Sequence, residues 1–436
     1  MAAPHNSAIP EDTKAAPRAA FSYPDFVAFS IARFCIVAAL EMQSVAVGWQ
    51  VYEITKRPLD LGLIGLAQFL PGIALFLPAG HAVDLLNRRR LVIACYASFA
   101  ACSAMLFLFA EHGISTIYPI YGVVVFLGII RSFNFPAARA ILPQIVPDAH
   151  FSNAVAWSSS IFQTATILGP TFGGLLYAFS RGPQFVYAAA ALTGVAATLA
   201  MTRVKAREKA RPREPVSLQT VLAGLRYIWR EKLILGSISL DLFAVLLGGA
   251  VALLPVYART ILHTGPWGLG LLRSAPGVGA AAMAVLLAHR PLRRGAGPIM
   301  LACVAGFGIF TISFGLSRNL VLSLLSLLLV GACDMVSVVI RAILVQIRTP
   351  DAMRGRVNAV DMIFIGASNQ LGEFESGVTA HWFGTVPAVV LGGVGTLVVI
   401  ALWTWLFPEL RQPHDVTTEK FEESPNADPS QTISAP

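Results

Sequence analysis

Residues 139–149 read R-A-I-L-P-Q-I-V-P-D-A, and residues 341–352 read R-A-I-L-V-Q-I-R-T-P-D-A. Each copy is followed by Asn-Ala-Val, at Asn153 and again at Asn358. Each then runs into a glycine-framed apolar segment, G-P-T-F-G-G from Gly169 and G-E-F-E-S-G from Gly372. Four matches in the same order, at offsets of 202 to 205, define an internal repeat. The chain reads as two copies of one half, a pattern common among membrane carriers.

Composition fixes the solvent in which that repeat must fold. Of 436 residues, 56% are hydrophobic and 13% charged, and the mean hydropathy is +0.67. A soluble domain carries about 25% charged residues. A water-soluble fold of this length could not hide so much apolar surface, so the composition implies an all-α polytopic membrane protein. The long continuous apolar runs exclude ten-residue alternating strands. The five cysteines, Cys35, Cys95, Cys102, Cys303 and Cys333, lie in apolar runs without a CxxC pair, so they read as small packing residues. No metal cluster, cofactor motif or disulfide framework is expected.

A helix needs about 20 mostly apolar residues to cross the hydrocarbon core. Twelve such segments are expected, near residues 26–51, 61–84, 91–110, 115–141, 153–179, 183–202, 233–261, 267–288, 297–316, 320–345, 358–382 and 386–407. One set of loops carries 18 basic residues, among them Arg88–Arg90 and the run from Arg203 to Lys232, whereas the opposite loops carry 5. That excess places the first set, and with it both termini, in the cytoplasm. The first twenty or so residues have no basic start leading into a short apolar core, so no cleaved signal peptide is expected.

Five regions follow. A polar tail (1–24) precedes a six-helix half (25–203), a basic linker (204–232), a second six-helix half (233–408) and a polar tail (409–436) expected to be disordered. Within the linker, Leu218, Val221, Leu222, Leu225, Ile228 and Trp229 recur at helical spacing, with Gln219, Arg226 and Arg230 elsewhere. This pattern fits an amphipathic helix on the inner leaflet, where anionic lipid attracts its basic face.

Residues 80–90, G-H-A-V-D-L-L-N-R-R-R, fill the short loop after the second segment. They resemble the signature of the major facilitator superfamily, G-x-L-A-D-R-x-G-R-R/K, through Gly80, Asp84, Arg88 and Arg89. Leu85 and Asn87 depart from it. In the second half His289 falls where Asp84 would be, and Arg293 and Arg294 are kept. The stretches F-N-F-P-A-A-R-A-I-L-P-Q-I-V-P, R-G-R-V-N-A and G-A-S-N-Q-L-G-E-F-E-S-G resemble the branch that contains the enterobactin exporter and related drug and siderophore efflux carriers. The resemblance implies proton-driven export of an amphipathic small molecule such as a siderophore or a drug. It also implies a cytoplasmic latch at Gly80, Asp84, Arg88 and Arg89, with Asp84 pairing across to Arg139 and Arg341 marking the matching end of the other half. Arg88–Arg90 also read as topogenic charges alone.

Arg131 sits mid-segment in G-I-I-R-S-F-N-F-P, similar to the R-x-x-Q-G of proton-coupled exporters, with Asn134 and Phe135 in the last two places. Gly169, Pro170, Gly173 and Gly174 match the end of an exporter-associated motif, and equally suit close helix packing. Glu41, Asp241, Asp334, Glu373 and Glu375 lie inside segments, where carboxylates face a cavity or a partner and often relay protons. With Arg131 they are candidates for proton coupling or structural pairing. Gln43 and Gln50 share a helix face and, with Trp49, Gln163, Asn369 and Gln370, are candidate substrate contacts. The expected function is a secondary active transporter in the plasma (inner) membrane, acting on a small-molecule substrate with protons and lipid as partners, and monomeric. A proton-linked uptake carrier and a non-transporting receptor or scaffold are the alternatives. An enzyme is not expected, since no Walker-type loop or nucleophile motif is present.

Overall fold

The computed structural model describes residues 18–113, 116–205, 218–290 and 295–412. Arg293, Arg294, most of the basic linker and most of both tails lie outside them, as do the side chains of Asp84, Leu218 and Gln219. Among the described residues, twelve helical rods cross the molecule. Spans 1 to 6 are Pro24–Thr55, Pro58–Ala74 continued by Phe76–Leu85, Arg88–Glu111, Tyr118–Ile145, Phe151–Ser180 and Gln184–Thr202. Spans 7 to 12 are Lys232–Ile261, Gly265–His289, Ala296–Leu316, Leu320–Arg348, Asp351–Phe383 and Thr385–Leu406. A linker helix, Leu218–Arg230, precedes span 7.

The repeat recurs in the packing. In the first half spans 1–5, 1–6, 2–4, 3–4 and 3–6 are neighbours, and in the second half so are 7–11, 7–12, 8–10, 9–10 and 9–12. It also recurs in the turns. Left-handed residues end span 1 at Lys56 (φ 57°) and span 7 near His263 (φ 52°), and others end span 5 at Arg181 (φ 56°) and span 11 at Gly384 (φ 90°). The halves meet through two equivalent contacts, span 2 on span 11 and span 5 on span 8.

Eight spans are long and apolar enough to cross a membrane by themselves. The other four are spans 1, 2, 5 and 11; span 2 falls short because its break leaves an apolar helix of 17 residues, and spans 2, 5 and 11 with span 8 form the main contacts between halves. Two rods are broken. Span 2 bends at Leu75, four residues after Pro71, whose ring cannot donate to the ladder. Span 7 breaks at Gly249, whose carbonyl accepts from Ser376 Oγ of span 11 at 2.7 Å. Span 7 ends in a π-turn, Tyr257–Ile261.

The linker helix is amphipathic. Ile228 is fully buried with Val345, Val357 and Val360, and Tyr227 Oη donates to the Arg348 carbonyl at 2.7 Å. Leu222, Arg226, Trp229 and Arg230 form an exposed stripe. The helix is thereby fixed to the second half, against span 11 and span 7.

Candidate functional site

The space between the halves is sealed at the end away from the arginine-rich loops. Glycines allow this close approach. A Cβ on Gly62 of span 2 would lie 3.0 Å from the Gly377 Cα of span 11, and one on Gly174 of span 5 would lie 2.5 Å from the Pro266 carbonyl oxygen. Polar atoms stitch the same seam. Thr171 Oγ1 and Ser274 Oγ are 2.8 Å apart, Ser274 Oγ donates to the Ile167 carbonyl at 2.6 Å, and Gln163 Nε2 donates to the Gly277 carbonyl at 2.9 Å. At the rim, Arg259 from the π-turn pairs with Glu53 of span 1 at 3.2 Å. Tyr177 Oη donates to that carboxylate at 3.1 Å, and the guanidinium lies 5.5 Å from the Trp49 ring centroid.

At mid-depth the seam carries charge. Glu41 of span 1 lies 3.9 Å from Arg273 of span 8. Glu373 of span 11 rests against Gly65 of span 2, where a Cβ would meet its Oε2 at 2.8 Å. Arg273, Arg131 and Glu41 are all within its electrostatic reach. Glu41 and Arg273 thus pair across the halves, and Glu373 and Arg131, from spans 11 and 4, stand near enough to influence one another. Arg131 is exposed, and its charge reaches Glu373 of span 11.

A second cluster lies inside the second half. Arg341 Nη1 is 2.5 Å from Asp241 Oδ2 and 3.5 Å from Asp361 Oδ1. The first contact is a hydrogen-bonded ion pair; the second lacks hydrogen-bond alignment. Asp334 feels both Asp241 and Arg341 but bonds to neither, as its roughly 10 Å rise from Arg341 along span 10 requires. A pocket lined by Asp241, Asp334, Ser337 and Phe307 has room for about one water.

Towards the arginine-rich end Arg139 reaches across the halves. Arg139 of span 4 lies 4.4 Å from the Phe135 centroid, and its Nη1 is 3.3 Å from Met362 Sδ of span 11. Arg33 of span 1 lies 5.4 Å from the Phe162 centroid.

The remaining candidates fall in distinct places. Gln43 accepts from Ser103 Oγ at 2.5 Å, and Gln50 accepts from Tyr187 Oη at 2.6 Å. Both face spans 3 and 6 inside the first half, and Trp49 is buried near Tyr177. Gln163 and Gln370 lie on the seam, whereas Asn369 is exposed with its amide turned to the Ile365 carbonyl. Glu375 accepts from Thr379 of its own helix and takes no part in the Glu373 cluster. Gly169 and Gly173 bring span 5 onto Ala38 and Met42 of span 1, and Pro170 is buried beside them. Gly80 lies in the second segment of span 2. Arg88 begins span 3, capped by Asn87, and Arg89 donates to the Thr202 carbonyl at the end of span 6. Arg139 meets no carboxylate among the described residues, and the Asp84 side chain it was expected to meet lies outside them.

Four participants were missed in the sequence. Arg273, in G-L-G-L-L-R-S-A-P-G, was as visible as Arg131, a basic residue inside an apolar run. Asp361 falls at the very start of the apolar run expected near residues 358–382; span 11 starts at Asp351 and places it a few turns inside. Glu53 and Arg259 sit near helix ends, where charges are ordinary, so nothing in the sequence joins them.

The comparisons agree with this architecture. A family model described as transmembrane secretion effector matches residues 15–431. The chain is similar to the enterobactin exporter EntS of Citrobacter koseri, at 26% identity over 90% of this chain and 94% of that protein. It is equally similar to EntS of Shigella boydii, at 26% with the same coverage. Among solved structures it resembles an inward-facing, unoccupied bacterial homologue of the human lysosomal transporter Spinster (TM-score 0.67, 14% identity, 92% of this chain and 99% of that one). It also resembles the nucleoside transporter NupG (0.68, 14%, 88% and 99%) and a D-xylose–proton symporter (0.65, 14%, 88% and 98%). Two repeated halves, a sealed seam and a match along almost the whole chain leave one assignment: this multi-pass membrane protein is a transporter, not an enzyme, of the transmembrane secretion effector family within the major facilitator superfamily.

Proposed function

We propose that the chain exports an amphipathic small molecule by alternating access, driven by protons moving inwards. The observation that carries this reading is the Glu41–Arg273–Glu373–Arg131 cluster, which lies at the inner limit of the sealed seam and draws on both halves. Burial favours the neutral form of such a carboxylate and arginines within reach favour the charged one, so a change in their distance changes its readiness to take a proton. Rocking of the halves changes that geometry, so protonation and access are linked in one place. The arginine-rich loops support a cytoplasmic placement of the open end and of both termini, making this an inward-facing state in the plasma (inner) membrane. Export accords with what the EntS relatives are named for. The protein acts as a monomer, since each half closes against the other, and the exposed Leu222–Arg226–Trp229–Arg230 stripe of the linker helix rests on membrane lipid.

The test is reconstitution into liposomes with an imposed pH gradient. Vesicles with an acidic lumen, offered amphipathic dyes from outside, accumulate at least one dye while protons leave. Accumulation only with an alkaline lumen would mean uptake, and no flux of any dye through a folded protein would mean no transport.

A further inference from the structure

The linker helix Leu218–Arg230 has a counterpart in the first half, and the two differ in what they leave exposed. Asn153 and Asn358 are the same repeat position, near the starts of spans 5 and 11. Before span 1, the turn Ala19–Ser22 lies on span 5. The Ala20 amide donates to Asn153 Oδ1 at 3.1 Å, and the Phe21 ring meets the Trp157 ring edge-on at 5.0 Å. Before span 7, the linker helix lies on span 11. Ile228 is fully buried in one cluster with Val357 and Val360, and a Cβ on Gly224 would stand 2.6 Å from the Arg356 carbonyl oxygen. A turn of 4 residues thus covers in the first half what a helix of 13 covers in the second. Packing alone does not call for the outer face of that helix.

That outer face has a definite composition. At 100° per residue, Leu222, Arg226, Trp229 and Arg230 fall within a stripe about 100° wide, opposite Gly224 and Ile228. All four are exposed, Trp229 at 71% and Leu222 at 50%. The helix holds no acidic residue. Arg203, Lys205, Arg207, Lys209, Arg211 and Arg213 precede it in the chain, against Glu208 and Glu214. Its level is fixed as well. Arg230 stands two residues before span 7 begins at Lys232, and Tyr227 Oη donates to the carbonyl of Arg348, the last residue of span 10. The stripe therefore sits where hydrocarbon gives way to head groups. An indole, a leucine and two guanidiniums on one face match that boundary, the apolar groups reaching the chains and the arginines the phosphates.

We propose that the Leu222–Arg226–Trp229–Arg230 face is a docking surface for anionic phospholipid of the inner leaflet, and that lipid bound there favours the arrangement with the seam sealed. This rests on the placement of the helix on lipid given above, and adds a choice of lipid and a consequence. The choice follows from charge, since a basic face at that level attracts anionic head groups most strongly. The consequence comes from the packed face. Gly224 and Ile228 tie the helix to span 11, which carries Glu373 and, at Gly377, the seam with span 2. The helix therefore moves as part of the second half. When that half rocks, the stripe tilts out of the membrane plane, so head groups hold the sealed state better than the other.

Selective quenching tests the docking. The full chain in nanodiscs of mainly zwitterionic lipid is compared with its Trp229→Phe variant, so that the difference in emission reports Trp229. A minor, fixed share of the lipid carries bromine on its chains, as phosphatidylglycerol or as phosphatidylcholine. The brominated phosphatidylglycerol quenches Trp229 as though enriched there at least about fivefold, the factor that one arginine contributes beside an anionic surface. The double substitution Arg226→Gln, Arg230→Gln brings the two lipids level, and lysine at both positions keeps the preference. Inorganic phosphate, against chloride of equal ionic strength, leaves the quenching unchanged. Equal quenching by the two lipids, or displacement by phosphate, overturns the proposal. Double electron–electron resonance tests the consequence, between spin labels replacing Arg57 and Trp382 at the sealed ends of spans 2 and 11. Adding phosphatidylglycerol raises the ratio of short-distance to long-distance populations at least about fivefold in the otherwise unaltered chain, and less than about twofold with both glutamines. An equal rise in the two chains, or a rise in neither, overturns it. The lipid comparison on the unaltered chain decides even where a variant fails to fold. A lipid preference at Trp229 without flux of any dye overturns transport and leaves the docking surface standing; dye flux with no preference does the reverse.

Discussion

Under the alternating access proposed above, Gly174 offers a way to move the molecule between two states by a single side chain. A Cβ there would sit 2.5 Å from the Pro266 carbonyl oxygen and 2.9 Å from the Gly270 Cα. Both belong to span 8, so the clash exists only while the seam is sealed. Gly173, the next residue, packs on the Met42 backbone of span 1 at 2.8 Å, within its own half, where contact persists in both states. Forcing extra methylenes into such a contact costs about 1–3 kcal/mol. Falling on one state alone, that cost shifts the closed-to-open ratio by about 5- to 150-fold. The assay is double electron–electron resonance between spin labels replacing Arg57 and Trp382, exposed residues at the sealed ends of spans 2 and 11, on a background without the five native cysteines. Gly174→Leu raises the ratio of long-distance to short-distance populations by that factor. Gly173→Leu lowers the unfolding temperature and leaves the distance distribution alone. An unchanged distribution for Gly174→Leu, or equal redistribution by both, refutes the reasoning.

Three other outcomes follow from the same geometry. Asp241→Asn strands Arg341, which is almost fully buried, and lowers stability by about 3–5 kcal/mol in detergent-solubilised thermal unfolding; adding Arg341→Gln recovers much of the loss, and a harmless single substitution contradicts the pairing. Glu53→Gln opens the sealed rim only a few-fold, because both partners are partly exposed and the pair contributes about 0.2–1 kcal/mol; high salt mimics the effect in the same distance measurement, and salt independence counts against it. Tyr227→Phe removes the bond to the Arg348 carbonyl, loosens the linker helix by about 1 kcal/mol and speeds proteolysis in the linker. Burial first, and Glu231 second, raise the Tyr227 phenol above its ordinary value. Its contribution is thus complete below the unfolded value, about pH 10, and is lost as pH rises through the higher folded one. A linker whose cleavage changes between pH 6 and pH 8 through Tyr227 would contradict this assignment.

The twelve spans were legible because each apolar run had to be about a membrane thick, and each predicted segment overlaps one rod. The breaks in spans 2 and 7 were not read, although Pro71 and the Gly248–Gly249 pair announced weak backbone there. A broken helix is tolerated only where another group satisfies the freed carbonyl, and Ser376, more than a hundred residues away, does so at Gly249. The buried acids were legible as costly residues, but their partners were not. Helical spacing tells which residues share a face without telling what that face meets. Gln43 and Gln50 share one, and it meets Ser103 and Tyr187 instead of the central gap. Glu373 and Glu375 looked equivalent in sequence; two residues turn a helix about 200°, which sends one to the seam and the other to Thr379. Arg131 stood out through its likeness to an exporter motif, whereas Arg273, equally basic inside an apolar run, has no motif around it.

In the proposed mechanism Glu373 is where proton movement and access meet, so its substitution is the most direct trial of the whole account. The measurement follows substrate and protons together in acid-lumen liposomes, for the unaltered chain and for Glu373→Gln, using whichever dye the unaltered chain moves. The account predicts that Glu373→Gln still exchanges dye across the membrane but no longer accumulates it against a gradient or releases protons as it does so. Accumulation and proton release that match the unaltered chain would contradict it.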